Sequence, residues 1–202
     1  MRFGEKRFHL IIFLLIFTSC SLYHLQTPET VPVGKLSVGF GVVRSSRGRK
    51  WLPGFWVRTG VTPKFDIGVH TWGLGLKLDV KYSFNEYTAI GGGVAVQSPG
   101  YTIFKIEGSL YAGVPLETFY PYSVVRINLA GVGHSILIKG PPGFTFFPWV
   151  SGVAGSRLKL GERFFLYGDV GEVFAFPSTP EGRVYIPGLG GLIFELGSSF
   201  DY

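Results

Sequence analysis

Residues Leu76 to Phe84 alternate without a break. Leu76, Leu78, Val80, Tyr82 and Phe84 fall on one face of an extended chain, and Lys77, Asp79, Lys81 and Ser83 on the other. Successive side chains of a strand point to opposite faces, so this stretch reads as a strand with one apolar and one charged face. The segment before it repeats the pattern, with Phe65, Ile67, Val69 and Thr71 opposed to Asp66, Gly68, His70 and Trp72. From Gly34 onward this period of two dominates, and no 3.6-residue period competes with it. A soluble β-sandwich also alternates, but its polar face meets water and its apolar face meets a second sheet. In a transmembrane barrel the apolar face meets lipid and the polar face lines the lumen.

Composition bears on that choice. The 202 residues include 30 Gly, and 16% are aromatic and only 16% charged; a soluble domain carries about 25% charged residues and about 7% Gly. Mean hydropathy is +0.30, yet no apolar run reaches the ~18 residues of a spanning helix. The longest run, Leu10 to Phe17, lies at the N-terminus, and the remaining apolar character is spread over short segments. The expectation is an all-β fold, an antiparallel up-and-down transmembrane β-barrel of about ten strands, with eight as the alternative.

The strands are expected near residues 34–43, 54–62, 65–72, 76–84, 88–97, 102–114, 119–130, 146–160, 164–173 and 188–202. The connections at one end are short: Pro63-Lys64, Asn85 to Tyr87, Pro115 to Thr118, and Gly161 to Arg163. Those at the other end are more variable and include Arg44 to Pro53, Gly131 to Thr145 and Phe174 to Pro187. Tight periplasmic turns and longer outer loops have this asymmetry. Phe65, Tyr82, Phe84, Tyr87, Phe119, Tyr120, Tyr122, Phe164, Phe200 and Tyr202 all fall near the short-turn ends, where a headgroup-level aromatic belt is expected.

The last eight residues, Glu195 to Tyr202, place Glu195, Gly197, Phe200 and the terminal Tyr202 at set intervals, with Leu196, Phe200 and Tyr202 on one face. This spacing resembles the C-terminal β-signal read by the barrel-assembly machinery, which would make that machinery a partner. Together with the alternation and the turn lengths, the chain resembles small OmpA-like outer-membrane barrels. The resemblance implies location in the outer membrane of a Gram-negative-type bacterium.

Residues 1–19 read as a signal peptide, with Arg2, Lys6 and Arg7 ahead of the apolar run and Thr18-Ser19 after it. Cys20 is the only cysteine, so no intramolecular disulfide can form. Its setting resembles the lipobox of bacterial lipoproteins, although Phe17 stands where Leu is usual; lipidation of Cys20 is the expectation and ordinary cleavage after Ser21 the alternative. Residues 20–33 then read as a tether, and 34–202 as the barrel domain.

Parity assigns Lys35, Arg58, Asp66, His70, Lys77, Asp79, Lys81, Lys105, Glu107, Arg126, Asn128, Asp169 and Glu195 to the lumen. A narrow interior with both signs of charge suggests an ion-pair network that plugs the barrel; a small-solute path or pocket is the alternative. Arg44, Arg47, Arg49 and Lys50 form the one concentrated basic patch, a candidate contact for lipopolysaccharide phosphates. His134-Ser135 is similar to the base and nucleophile of serine-dependent lipid A deacylases, which are also small barrels. Neighbours in an extended segment point in opposite directions, however, which argues against a working pair.

The scattered histidines offer no metal set, and Gly91-Gly92-Gly93 and Gly188 to Gly191 lack the lysine and helix of a phosphate loop, so no metal or cofactor is expected. These glycines are expected to let strands bend at barrel corners. Net charge is +6, of which the first 19 residues carry +2. The remainder is too small and dispersed to indicate nucleic acid. Three functions stay open: a structural or surface-interaction barrel with a plugged lumen, a narrow channel or solute-binding barrel, and a lipid-modifying enzyme.

Overall fold

The computed structural model describes residues 26–45, 51–72, 75–97, 101–134, 144–175 and 191–202. Ten strands run Leu36–Ser45 (β1), Leu52–Thr62 (β2), Phe65–Trp72 (β3), Gly75–Ser83 (β4), Thr88–Gln97 (β5), Tyr101–Gly113 (β6), Phe119–His134 (β7), Phe144–Lys159 (β8), Phe164–Ala175 (β9) and Gly191–Asp201 (β10). Each pairs antiparallel with its sequence neighbours, and β1 pairs with β10, so the sheet is a closed barrel. Closure leaves no strand edge unpaired. At the seam the amide of Leu36 donates to the carbonyl of Tyr202 at 3.1 Å, and that of Tyr202 to the carbonyl of Leu36 at 2.7 Å.

Burial is inverted relative to a soluble domain. Leu78 is 51% exposed, whereas its neighbour Asp79 is 6% exposed. The same holds along β3 and β4, where every inward residue from Asp66 to Trp72 and from Gly75 to Ser83 is buried. The outward face carries Val57, Ile67, Val69, Leu76, Leu78, Val80, Ile106 and Leu110, all exposed.

The short connections gather at one end, and their local chemistry fixes them. The Asn85 carboxamide oxygen accepts from the amides of Tyr87 and Thr88, both at 2.9 Å, and closes the β4–β5 turn. Residues 46–50, 73–74, 98–100, 135–143 and 176–190 are outside the described residues.

Several expectations need correction. Tyr120 and Tyr122 are buried inside the barrel and do not join the outer belt. They share the parity of Val124, Arg126 and Asn128, all inward, so the strand periodicity overrides proximity to the turn. Outside, Tyr82 packs edge-on against Phe84 at 5.5 Å, and Phe164 lies 4.7 Å from Phe200. Lys35 is exposed, not luminal: Gly34 has a φ of 72°, and β1 begins only at Leu36. Arg44 and Pro53, expected in a loop, lie on paired strands, with Pro53 opposite Val42.

Candidate functional site

The interior is built by the inward residue of every strand pair. Among the described residues it buries five cations, Arg58, Lys77, Lys81, Lys105 and Arg126, and five anions, Asp66, Asp79, Glu107, Asp169 and Glu195. The signs balance, which is what a low-dielectric interior demands of charges that cannot reach water.

The larger cluster spans β2 to β6. Arg58 donates one guanidinium nitrogen to Asp66 and the other to Asp79, the latter at 2.6 Å. The imidazole Nε2 of His70 lies 3.0 Å from Asp79. Lys77 sits 3.2 Å from Asp79 and also pairs with Glu107, whose other oxygen meets Lys105 at 2.8 Å. Lys81 lies 3.4 Å from Asp66. The chain of alternating charges runs unbroken from Lys105 to Lys81. A second cluster lies on β7 to β10. There the Tyr122 hydroxyl donates to Asp169 at 2.5 Å, and Arg126 interacts electrostatically with Glu195 and Asp169.

Glycines make these contacts sterically feasible. Gly68 stands between Arg58 and Asp79 in the cross-strand register, and a Cβ there would sit 2.6 Å from an atom of each. Gly155 stands between Tyr122 and Asp169 in the same way, and a Cβ would fall 2.0 Å from the Asp169 carboxylate. Gly91 to Gly93 pair with both neighbours without a register shift, and a Cβ on Gly93 would lie 2.9 Å from the Asp79 Cβ.

Of the stretch read as a tether, residues 26–28 lie in this interior. Gln26, Thr27 and Pro28 are buried within the barrel. The Gln26 carboxamide donates to Asp79 at 3.2 Å, lies 3.0 Å from His70, and accepts from the Tyr111 hydroxyl at 3.2 Å. Lys81 donates to the carbonyl of Thr27 at 3.0 Å, and the amide of Val31 donates to Asp66 at 3.0 Å. Glu29 pairs with Arg157, whose guanidinium lies 5.0 Å above the Tyr120 ring. The segment reaches β1 past Gly60, where a Cβ would meet the carbonyl oxygens of Val31 and Pro32 at 2.1 and 2.4 Å. The Thr30 hydroxyl donates to the carbonyl of Pro63 in the first short turn, so from Gln26 to Thr30 the segment runs from the interior out to the short-turn end.

Arg58, Asp66, His70, Lys77, Asp79, Lys81, Lys105, Glu107, Arg126, Asn128, Asp169 and Glu195 all lie inside. Sequence reading missed Gln26 and Thr27, which no periodicity marks. It also passed over Tyr111, although the register that turns Lys105 and Glu107 inward carries Ser109 and Tyr111 with them. On β10, Glu195 is inward, while Leu196, Phe200 and Tyr202 are exposed. Arg44, next to the last residue of β1, is exposed on the outer surface, its guanidinium 5.8 Å from the Trp51 ring. Cys20, Arg47, Arg49, Lys50 and Ser135 lie outside the described residues, as does the side chain of His134.

No protein-family model matches this chain, and no curated protein matches it. Among solved structures it is similar to the N-terminal β-barrel domain of Pseudomonas aeruginosa OprF, with 10% identity over 84% of this chain and 98% of that one and a TM-score of 0.44. It is also similar to the KdgM porin in complex with disordered oligogalacturonate, with 11% identity over 82% and 99% of the two chains and a TM-score of 0.45. Neisserial surface protein A gives 11% identity, 83% and 93% coverage and a TM-score of 0.36. These likenesses concern the barrel fold alone.

Proposed function

We propose that this chain is an outer-membrane barrel of structural or surface-interaction type, closed to solutes by its own luminal charges and by its N-terminal segment. The apolar outer face supports the membrane setting, since exposed leucines and valines around a whole closed sheet are stable only against lipid. The observation that carries the closed-lumen reading is Gln26, held inside between Asp79, His70 and Tyr111. A carboxamide that satisfies both its donor and its acceptor on three interior groups acts as a stopper, not as a lining residue.

Cys20, six residues ahead of Gln26, is the proposed acylation site. Radiolabelled palmitate incorporated equally by wild type and Cys20→Ala would dismiss this. β10 is the proposed strand for the assembly machinery, with Glu195, Gly197, Phe200 and Tyr202 as its recognition residues.

Planar-bilayer recording of the full chain tests the closed lumen. A silent baseline is expected in moderate salt, and steady single-channel steps from the wild type would replace the stopper with a solute path.

A further inference from the structure

A second feature lies on the outside of the barrel, and its meaning rests on the membrane setting proposed above. A hollow of about 780 Å³ opens on the outward face of β8, β9 and β10, beside the end of β1. Arg44, Trp51, Gly168, Val170, Phe194 and Leu196 line it, together with the inward-facing Asp169 and Glu195, which are buried. Its volume is in the range of ordinary ligand pockets, ~300–1,000 Å³.

Gly168 differs from the luminal glycines. At Gly68 and Gly155 a Cβ would collide with the side chains that cross there, so packing demands glycine. At Gly168 a Cβ would meet only the Leu196 Cδ2, at 3.7 Å, an ordinary contact. No neighbour requires the missing side chain, and its effect is to keep the outer hollow open.

Arg44 supplies the chemistry. It is the outward residue at the long-loop end of β1, opposite Phe194 in register. Among the described residues its guanidinium meets the Trp51 ring and no carboxylate. A cation beside an interfacial tryptophan, above an apolar hollow on a lipid-facing wall, calls for an anion with hydrocarbon attached. A phosphate accepts two parallel hydrogen bonds from a guanidinium, which a carboxamide or sugar hydroxyl does not match. A second barrel docked two-fold on this face would bring its own Arg44 towards the first, like charge against like.

We infer that this hollow is a binding site for a phosphate-bearing acylated lipid of the outer leaflet, its phosphate on Arg44 and one acyl chain across Gly168 between Val170 and Leu196. The site is separate from the lumen. It gives the basic end of β1 a defined partner in place of a diffuse charge attraction.

The test is native mass spectrometry of the full chain folded in micelles. The probes are diphosphorylated hexa-acyl lipid A and the same lipid with its phosphates removed. One diphosphorylated lipid retained per barrel is expected. Arg44→Glu should cut retention about tenfold to a hundredfold, the range for a lost charge-assisted contact. Gly168→Leu should cut it similarly with the cation intact, because it fills the hollow; if that variant does not fold, Ala154→Leu fills the same hollow from β8. Equal retention by the filled variant, equal retention of the dephosphorylated lipid, or a barrel dimer that the filled variant dissociates would each overturn the proposal. Heat-modifiable gel migration of the wild type is read in parallel; its absence would sink the membrane barrel itself, a distinguishable failure.

Discussion

Arg58 and Asp79 sit on strands that do not touch, and their side chains meet at 2.6 Å across the backbone of Gly68. The same arrangement recurs where Tyr122 reaches Asp169 over Gly155. In both cases two long polar groups lie flat against the wall and satisfy each other within a narrow interior. A charge without such a partner would cost several kcal/mol. Part of the chain's glycine content therefore follows from the charge network, and that link ties composition to the barrel interior.

Gly68→Val should separate Arg58 from Asp79. Its Cβ would sit 2.6 Å from both the guanidinium and the carboxylate. Breaking a buried pair costs about 3–5 kcal/mol, so the urea midpoint of the folded barrel should fall accordingly. Asp79→Ala added to Gly68→Val should cost less than Asp79→Ala alone, since both act on one contact. Strict additivity would show that the pair is not the seat of the effect.

Tyr122→Phe removes the hydroxyl that donates to the buried Asp169 carboxylate. The carboxylate loses a charge-assisted bond, and a loss of roughly 1–3 kcal/mol is expected in urea unfolding. Tyr82→Phe, on the outer surface, is the control, and the two variants should differ clearly. Equal, negligible effects would mean that Asp169 is satisfied elsewhere.

Gly60→Leu should drive the N-terminal segment from the lumen. The added side chain would occupy the space of the Val31 and Pro32 carbonyls, 2.1 and 2.4 Å from its Cβ. Released, the segment gives up the contacts of Gln26, Thr27 and Glu29, and the bilayer recording should gain conductance while the barrel stays folded. Gly152→Ala, with nothing within 4 Å of its Cβ, should stay silent. A silent Gly60→Leu barrel whose segment has become protease-sensitive would show that the charge network closes the lumen unaided.

Period-two alternation made the barrel legible. Leu76 to Phe84 alone shows which face carries charge, and applying the same parity to β6 and β7 would have turned Tyr111, Tyr120 and Tyr122 inward. Where the chain departs from alternation the reading failed. Parity counts Lys35 into a strand that Gly34 postpones, and Gln26 lies in a stretch with no period at all. Its place is set by Asp79, 53 residues away, together with His70 and Tyr111. Long-range complementarity of that kind leaves no local mark. Glycine clearance was illegible for a related reason: Gly68 matters through residues on the strands at either side of it, not through its neighbours in sequence.

The membrane setting itself can be tested with Leu78→Arg. Leu78 lies mid-strand on β4, facing outward and 51% exposed. On a protein surrounded by water, a surface substitution away from special features changes stability by about 0.5 kcal/mol or less. In a bilayer, an arginine at the midplane of a barrel costs about 2–4 kcal/mol, falling to about 0–1 near the interfaces. Leu116→Arg supplies the depth control, because Leu116 is exposed in the β6–β7 turn at the short-turn end. Unfolding in phosphatidylcholine bilayers should show a large loss for Leu78→Arg and a small one for Leu116→Arg. The two residues are similarly exposed, so burial cannot account for the difference, whereas depth in hydrocarbon can. Equal small losses at both sites would remove lipid from the outer face and return the fold to a water-soluble barrel.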